Sequence, residues 1–177
     1  MLDLVVNSLR QRPDRILVGE IRRKKEAEVL FEAMHTGHSV YGTIHANNVE
    51  ETYDRLTNPP IELPPKILSS LGLIVVQNRN RRTGKRRTLQ ISELTNDGTP
   101  HVIKQYDVRA DDLKDANPAQ RILETLELYT GMTAHDLESD LDEKVRILKW
   151  LHEKDINDVH TIGRIIARYY FKKSRGG

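Results

Sequence analysis

Two short strand-like segments separated by a helical pattern constrain the fold of this chain more than any other feature. Residues 15–21, RILVGEI, form an apolar run that predicts a strand buried on both faces. Apolar residues then recur at helical spacing over 27–34, and Gly37 stands where a left-handed helix cap belongs. Residues 39–44, SVYGTI, are again typical of a strand. We therefore predict an α/β fold in which these two strands are parallel neighbours.

The segments that follow alternate between short helices and strands. Asn48 can cap a helix, with Glu51 three residues later completing a pair typical of helix starts. Residues 58–60, NPP, end this helix, and the two prolines at 64–65 open another short one. Three strands joined by two hairpin turns are then predicted, at residues 73–79, 86–94 and 100–108.

The last part of the chain has a purely helical pattern. Residues 109–117 are polar and predict a linker, which divides the chain into domains at 1–108 and 109–177. Three helices are predicted after it. The first covers residues 119–129, the second begins at a cap formed by Thr133 with Asp136, and the third begins at a cap formed by Asn157. The second helix has an apolar face that we expect to be core: Leu137, Leu141, Val145, Leu148 and Leu151.

The composition limits the kinds of protein to which this chain can belong. Its 177 residues suffice for a folded core, and a formal charge of +2 is too small to predict nucleic-acid binding from bulk electrostatics. The absence of cysteine excludes disulfides and thiolate metal ligands. The longest apolar run, residues 73–76, is too short to span a membrane, and no signal-peptide pattern is present. We therefore expect a cytosolic protein.

An acidic residue closes the first strand-like run. Glu20 follows RILVG, and a carboxylate at the C-terminal end of a rigid strand can be held against a nucleotide's metal and attacking water. In that interpretation Glu20 orients or deprotonates the water, and Arg22 contacts phosphate or a neighbouring subunit. The alternative is a charged turn without a special function, since such turns follow apolar strands in most α/β domains.

Two histidines bracket the second strand-like run. His38 and His45 lie at opposite ends of it, and at roughly 3.3 Å per residue they are too far apart to share one metal ion. We therefore predict no metal site here. The functional interpretation places His45 beside Glu20 on an adjacent parallel strand, where it senses or stabilises a γ-phosphate. The alternative is that both are ordinary surface or loop histidines.

The two motifs in this order, RPDxxxxGEIR and then TGHxxxxTIHAN, resemble those of the type II/type IV secretion ATPase family. That family includes the motors of type II secretion, type IV pili and the archaellum, and the segments PPIELP and GKRR are most similar to its archaeal branch. The resemblance implies a truncated RecA-like P-loop NTPase core with an antiparallel hairpin region, followed by a small all-helical C-terminal domain. It also implies ATP and Mg²⁺ as cofactors, and a cytoplasmic hexamer that binds an integral membrane platform protein of a secretion or pilus-like machine.

The same resemblance implies roles for individual residues. By matching position, Glu20 takes the catalytic role at the end of the Walker B strand, and His38 and His45 belong to the histidine box, with His45 catalytic. Thr43 and Arg22 would lie near the nucleotide phosphates or at a subunit interface. One departure is Arg23, where many members of the family carry an acid.

The phosphate-binding loop of such an enzyme is missing from this sequence. That loop needs the pattern GxxxxGK[ST], and Gly84-Lys85, the one Gly-Lys pair here, is followed by arginine. We therefore expect a C-terminal fragment of the motor that is inactive on its own, because the groups that bind the phosphates lie outside this sequence.

A basic cluster leaves two other functions open. Six cations lie close together around a predicted hairpin: Arg79, Arg81, Arg82, Lys85, Arg86 and Arg87. They fit a solvated hairpin, a contact with a neighbouring subunit or acidic membrane component, or the contact of a motor that acts on nucleic acid, although no aromatic residue interleaves them for base stacking. Nucleic acid is the less favoured partner. A third function is a non-catalytic module whose helical tail docks on a membrane-anchored partner.

Overall fold

The computed structural model describes the backbone of residues 2–174 and the side chains of residues 4–174. The chain forms two compact units, Met1–Ile122 and Leu123–Gly177. The first unit mixes helices and strands, which confirms the α/β class, and the second is helical. Among the described residues, no helix is both long enough and apolar enough to cross a membrane.

Over the residues that the structure describes, the first unit has four helices and six strands before the start of α5. In chain order these are α1 Leu2–Leu9, β1 Arg15–Val18, α2 Lys24–His35, β2 Ser39–Gly42, α3 Val49–Thr57, α4 Pro65–Leu68, β3 Leu73–Arg79, β4 Arg86–Leu94, β5 Pro100–Asp107 and β6 Asp112–Asp115. Helix α5 spans Arg121–Thr130, and the second unit continues with α6 Ala134–Glu153 and α7 Val159–Lys173.

Strands β1 and β2 form the predicted parallel pair. Their register runs from Arg15 opposite Ser39 to Val18 opposite Gly42, and Gly37 has a φ of 90°, as the helix-cap prediction requires. The prediction that β1 is buried on both faces was wrong, because its side chains alternate and Leu17 is 77% exposed. Helices α1 and α2 cover one face only, where Ile16 and Val18 pack.

The remaining strands form an antiparallel sheet of order β3-β4-β5-β6. The two predicted hairpins are present, with Gly84 and Gly98 in left-handed conformations at their turns. The linker prediction for residues 109–117 was wrong, since Asp112–Asp115 pairs with β5 as a fourth strand. Polar side chains suffice there because β6 is an edge strand with half-exposed or exposed positions.

One buried cluster of the first unit lies among α2, α3 and α4. Leu63 and Leu68 are almost fully buried there and pack with Phe31 of α2 and Leu56 of α3. The turn after β4 also lies against α4, because a Cβ built on Gly98 would stand 1.8 Å from the carbonyl oxygen of Pro65. A side chain at this turn would therefore collide with backbone.

The second unit corrects two predictions. Helix α7 is capped by Asp158, whose side chain accepts from the backbone N–H of Thr161, and not by Asn157. In α6 the capping pair of Thr133 and Asp136 is confirmed, but its apolar face is only partly core. Leu137 and Leu151 are buried, whereas three other members are exposed: Leu141 at 57%, Val145 at 45% and Leu148 at 63%. A helical unit this small has too little chain to cover them.

Candidate functional site

Parallel pairing of β1 and β2 brings the predicted catalytic residues to one edge of this sheet. Glu20 follows β1 and His45 follows β2, and the Nε2 atom of His45 lies 3.5 Å from Oε1 of Glu20. Thr43 connects the two strand ends, since its hydroxyl donates to the carbonyl of Gly19 and its own carbonyl accepts from the N–H of Ile21 at 2.9 Å. The pairing therefore continues beyond the strands and fixes the backbone beneath Glu20.

Arg22 holds the carboxylate of Glu20. Its Nη2 atom lies 2.5 Å from Oε2 of Glu20, whose side chain is 22% exposed. The pKa of Glu20 is lowered, first by this hydrogen bond and further by the charges of Arg22 and His45, which outweigh partial desolvation. The pKa of Arg22 is raised by the same contact. Glu20 is therefore a carboxylate held by a cation, better suited to orienting water than to taking its proton while Arg22 stays bound.

His38 is not part of this cluster. It precedes β2, at the opposite end of the strand from His45, and its Nδ1 atom lies 3.3 Å from the carbonyl of Ala33 and 3.2 Å from Oγ1 of Thr36. At about 3.3 Å per residue, the length of β2 separates it from Glu20. Its contacts fasten the end of α2 to the start of β2.

Glu51 fixes the loop that carries His45, a role beyond the one predicted for it at the start of a helix. Its Oε2 atom accepts from the backbone N–H of Asn47 at 2.9 Å and from the Asn47 amide at 2.8 Å. Its Oε1 atom accepts from Nε and Nη2 of Arg55 at 3.0 and 2.8 Å. The pKa of Glu51 is lowered, most by the Asn47 backbone N–H and then by Arg55. The four-residue spacing of these three residues could have revealed the group.

The residues at this edge fit part of a magnesium–nucleotide site. Mg²⁺ takes oxygen ligands, usually one or two carboxylates together with phosphate oxygens and water. Glu20 and Thr43 are the oxygen-bearing side chains that the strand ends place together. Across the described residues, no three His, Cys, Asp or Glu side chains are grouped as a metal site would require. Glu20 can therefore supply one contact to such a site, whose other ligands would come from outside these residues.

A cavity beside the site has a different character. It opens between β2 and β3, has a volume of about 420 Å³, and is lined mostly by apolar side chains such as Phe31, Ile44 and Val76. Phosphate binding needs clustered N–H donors or cations. The cavity is therefore unsuited to the phosphates, although Thr43 borders it.

The basic hairpin between β3 and β4 is partly neutralised by a residue of the mispredicted linker. Asp111 accepts from Nε and Nη2 of Arg87 at 2.7 and 2.9 Å and from Nζ of Lys85 at 3.4 Å, and the hydroxyl of Tyr106 also donates to it. These donors, Arg87 first, hold the pKa of Asp111 far below its usual range. The hairpin is thus anchored beside its turn by an ion-paired cluster.

In open α/β sheets, ligands bind outside the carboxyl ends of the strands, which is where Glu20 and His45 lie. A family model described as type II/IV secretion system protein matches residues 1–149. The chain belongs to this family, as the two motifs indicated.

Several relatives are similar to this chain in sequence, and two of them have secretion or pilus names. An uncharacterized protein of Methanocaldococcus jannaschii is 32% identical over 187 residues, which cover 99% of this chain and 34% of the relative. The type IV pilus assembly ATPase PilB of Acinetobacter baylyi is 41% identical over 87 residues, 48% of this chain and 15% of that protein. Type II secretion system protein E of Pseudomonas aeruginosa is 44% identical over 71 residues, 40% of this chain and 14% of that protein. The chain thus spans well under half the length of these relatives.

A solved structure, the ATPase DotB of Yersinia pseudotuberculosis, aligns with 92% of this chain and 39% of its own, at 21% identity and a TM-score of 0.45. At that score the likeness adds nothing to the assignment, which rests on sequence.

Proposed function

We propose that this chain is the C-terminal part of a motor ATPase that couples ATP hydrolysis to protein secretion or to assembly of a type IV pilus or archaellum-like filament. The observation that carries the proposal is the meeting of Glu20 and His45, 3.5 Å apart, at the C-terminal edge of two parallel strands. Membership of the secretion family supports it, and so does the description of PilB as an assembly ATPase.

Each residue at the edge has a proposed part in hydrolysis. Glu20 orients the attacking water, and its ionised state is maintained by Arg22. His45, whose side chain is 84% exposed, is free to turn from Glu20 toward the oxygens of the transferred phosphate. Thr43 holds the backbone of Gly19, and with it the position of Glu20. Bound Mg²⁺ and ATP would supply the electrophilic phosphorus and the charge neutralisation around it.

The rest of the ATP site belongs, in this proposal, to a RecA-like core that is only partly contained in the chain. Parallel sheets are ordinarily covered on both faces, whereas Leu17 and Tyr41 of the β1–β2 pair are 77% and 58% exposed. Helices from outside the chain would cover that face, and further strands with a phosphate-binding loop would extend the sheet at its edges. We keep as a proposal a partial core predicted at 1–108 and a helical domain predicted at 109–177, except that β6 and the start of α5 belong to the first unit.

The proposed assembly is a hexameric ring, cytoplasmic and peripheral to the membrane, that works on an integral membrane platform protein. Arg22 and His38 are proposed as nucleotide or subunit contacts in that ring. Both lie outside the core clusters, and Arg22 is 71% exposed. A motor acting on nucleic acid is less favoured, because Asp111 already engages two of the six cations of the basic hairpin.

The first prediction tests the role of Glu20 in a protein that contains this segment together with a phosphate-binding loop. Glu20→Gln is expected to lower ATP turnover by about 100-fold or more while nucleotide affinity stays within about twofold, because only the orientation of water is lost. Turnover is measured by phosphate release and affinity by calorimetry. Glu28→Gln, on the exposed side of α2, is the matched control.

Wild-type turnover in Glu20→Gln would refute the role of Glu20. Loss of nucleotide binding in the same variant would show a structural role instead. The chain alone is expected to hydrolyse no ATP above background.

A further inference from the structure

The hairpin between β3 and β4 has one face that is ion-paired and one that is not. Arg86 and Arg87 follow each other on β4, so their side chains point to opposite faces of the sheet. On one face, Arg87 is bound by Asp111. Arg79 lies directly opposite Arg86 in the register of β3 and β4, so these two arginines share the other face. Asp111 therefore neutralises one face of the hairpin and not the other.

Arg79 and Arg86 form a pair whose charge is not compensated. Both are exposed, and neither has a carboxylate partner among the residues whose side chains the structure describes. Like charges directly opposite each other destabilise a pair of strands. The adjoining turn is ordered by Asn80, whose Oδ1 atom accepts from the backbone N–H groups of Arg82 and Thr83 at 2.9 and 3.0 Å. The two arginines therefore stand at fixed positions and fit a pair of anionic groups.

Helix α6 carries an acidic pair of the same kind. Glu138 and Asp142 are four residues apart, so they lie on the same side of the helix, where like charges destabilise it. Both are exposed, and no described residue forms an ion pair with either. Asp140 lies on the opposite side of α6 and binds Lys144 and Lys173. The acidic pair is therefore on the side of α6 away from these ion pairs.

The acidic pair is confined to the first half of α6. Arg146 and Lys149 follow on the same side of the helix, toward its C-terminal end. A cationic partner would therefore sit against the N-terminal half of α6.

The arginine pair and the acidic pair match each other in sign and in spacing. Residues opposite each other on antiparallel strands have Cβ atoms about 4.5–5.5 Å apart, and residues four apart on a helix have Cβ atoms about 5–6 Å apart. Each arginine can therefore face one carboxylate, to which a guanidinium group donates two parallel hydrogen bonds. Contact between the pairs would offset the repulsion within each of them.

We propose that the hairpin of one copy of this chain binds α6 of a second copy, with Arg79 and Arg86 against Glu138 and Asp142. Because the two surfaces differ, a copy that uses its hairpin still has a free α6, so the contact can repeat around a ring or along a chain of copies. Exposed ion pairs contribute little singly, so two isolated chains bind weakly and in a salt-sensitive way. The contact would belong to the ring proposed above, but it does not depend on ATP hydrolysis.

Other anionic partners fit the hairpin less well. Residues 77–88, QNRNRRTGKRRT, contain no apolar or aromatic side chain that could enter a bilayer or stack on a base. The other face of the hairpin already binds a protein carboxylate, that of Asp111. A carboxylate of a second copy therefore repeats a contact that the hairpin makes within its own chain.

The test is sedimentation velocity of the chain at concentrations up to about 1 mM, at low salt and in about 0.5 M salt. Association is expected at low salt and is expected to weaken at high salt. Arg79→Glu with Arg86→Glu, and separately Glu138→Lys with Asp142→Lys, should each weaken it by about tenfold or more. Each double variant keeps a like-charged pair, so the stability of the hairpin or helix should change little.

A mixture of the two double variants is the decisive sample. The acidic hairpin of one variant then faces the basic α6 of the other, so association should return to within about threefold of the wild type. Lys25→Glu with Lys66→Glu is the matched control, because it reverses two exposed cations of α2 and α4. It should associate like the wild type. Circular dichroism establishes that each variant is folded.

Three results would overturn the proposal. These are the absence of salt-sensitive association, salt-sensitive association that either double variant leaves unchanged, and a mixture of the variants that associates no better than each alone. Binding of single-stranded DNA or of phosphatidylglycerol vesicles by a chain that stays monomeric would assign the arginine pair to that partner instead.

Discussion

Two glycines at hairpin turns of one sheet allow a steric contact to be separated from backbone strain. Gly84 and Gly98 have φ values of 71° and 84°, so alanine at either position adopts a left-handed conformation. A Cβ at Gly84 meets nothing within 4 Å, whereas one at Gly98 would stand 1.8 Å from the Pro65 carbonyl oxygen and 2.7 Å from its carbon. Gly84→Ala is therefore a matched control for Gly98→Ala.

The magnitudes follow from these contacts. Left-handed alanine costs about 1–2 kcal/mol at both positions, and the effect of alanine on the unfolded chain is the same for both. At Gly98 the turn must also move away from α4 by more than 1 Å to reach an ordinary contact distance, and overpacking of this kind costs about 1–3 kcal/mol more. We expect Gly98→Ala to lower the free energy of unfolding by about 2–5 kcal/mol, and Gly84→Ala by about 1–2 kcal/mol.

Urea unfolding followed through amide resonances of β4 and β5 measures this difference in the first unit. If the two variants differed by less than about 0.5 kcal/mol, the contact between the turn and α4 would not exist in solution.

Two further predictions concern carboxylates. Arg22→Ala should raise the pKa of Glu20 toward its ordinary value of 4.5, because the hydrogen bond that lowers it most is lost. NMR titration of the Glu20 carboxyl group measures this, with Arg23→Ala as control. An unchanged pKa in Arg22→Ala would contradict the ion pair. Glu93 is 3% exposed, and its pKa is lowered because backbone N–H groups of residues 120–122 outweigh the effect of burial. Its contribution to stability is thus present above pH 4.5 and is lost as the pH falls through the lower folded value. Glu93→Gln should lower the free energy of unfolding by about 1–3 kcal/mol at neutral pH and should reduce its dependence on pH in the acid range. Urea unfolding at several pH values measures this, and the same pH dependence in variant and wild type would refute it.

The fold could be predicted from sequence where local signals and tertiary packing agree. The parallel pair, the helix cap at Gly37 and both hairpins were of this kind. Strand β6 was missed because an edge strand needs only backbone partners and its residues, DLKD, carry no apolar signal. The exposure of Leu17 was missed because an apolar run predicts burial whether or not the chain contains the layer that covers it.

For the candidate site, the sequence predicted which residues meet better than it predicted the contacts around them. Glu20 and His45 were expected to be neighbours, since parallel strands end at one edge, and they are. The sequence did not predict the contacts of Glu51 with Asn47 and Arg55. A carboxylate three residues after Asn48 is already explained by capping of the helix start, so the pattern indicates no further partner. The separation of His38 from Glu20 follows from the same strand geometry.

The β1–β2 pair also has a consequence for how the chain behaves in concentrated solution. Within the described residues each of these strands has one partner, so each presents a second edge of unpaired backbone groups. Arg15 is the one charged residue among the eight positions of the two strands, and no proline interrupts them. Such an edge can template the addition of a further strand from another molecule. We therefore expect this segment, when expressed by itself, to self-associate through the free edges of β1 and β2, which would be paired inside a complete sheet.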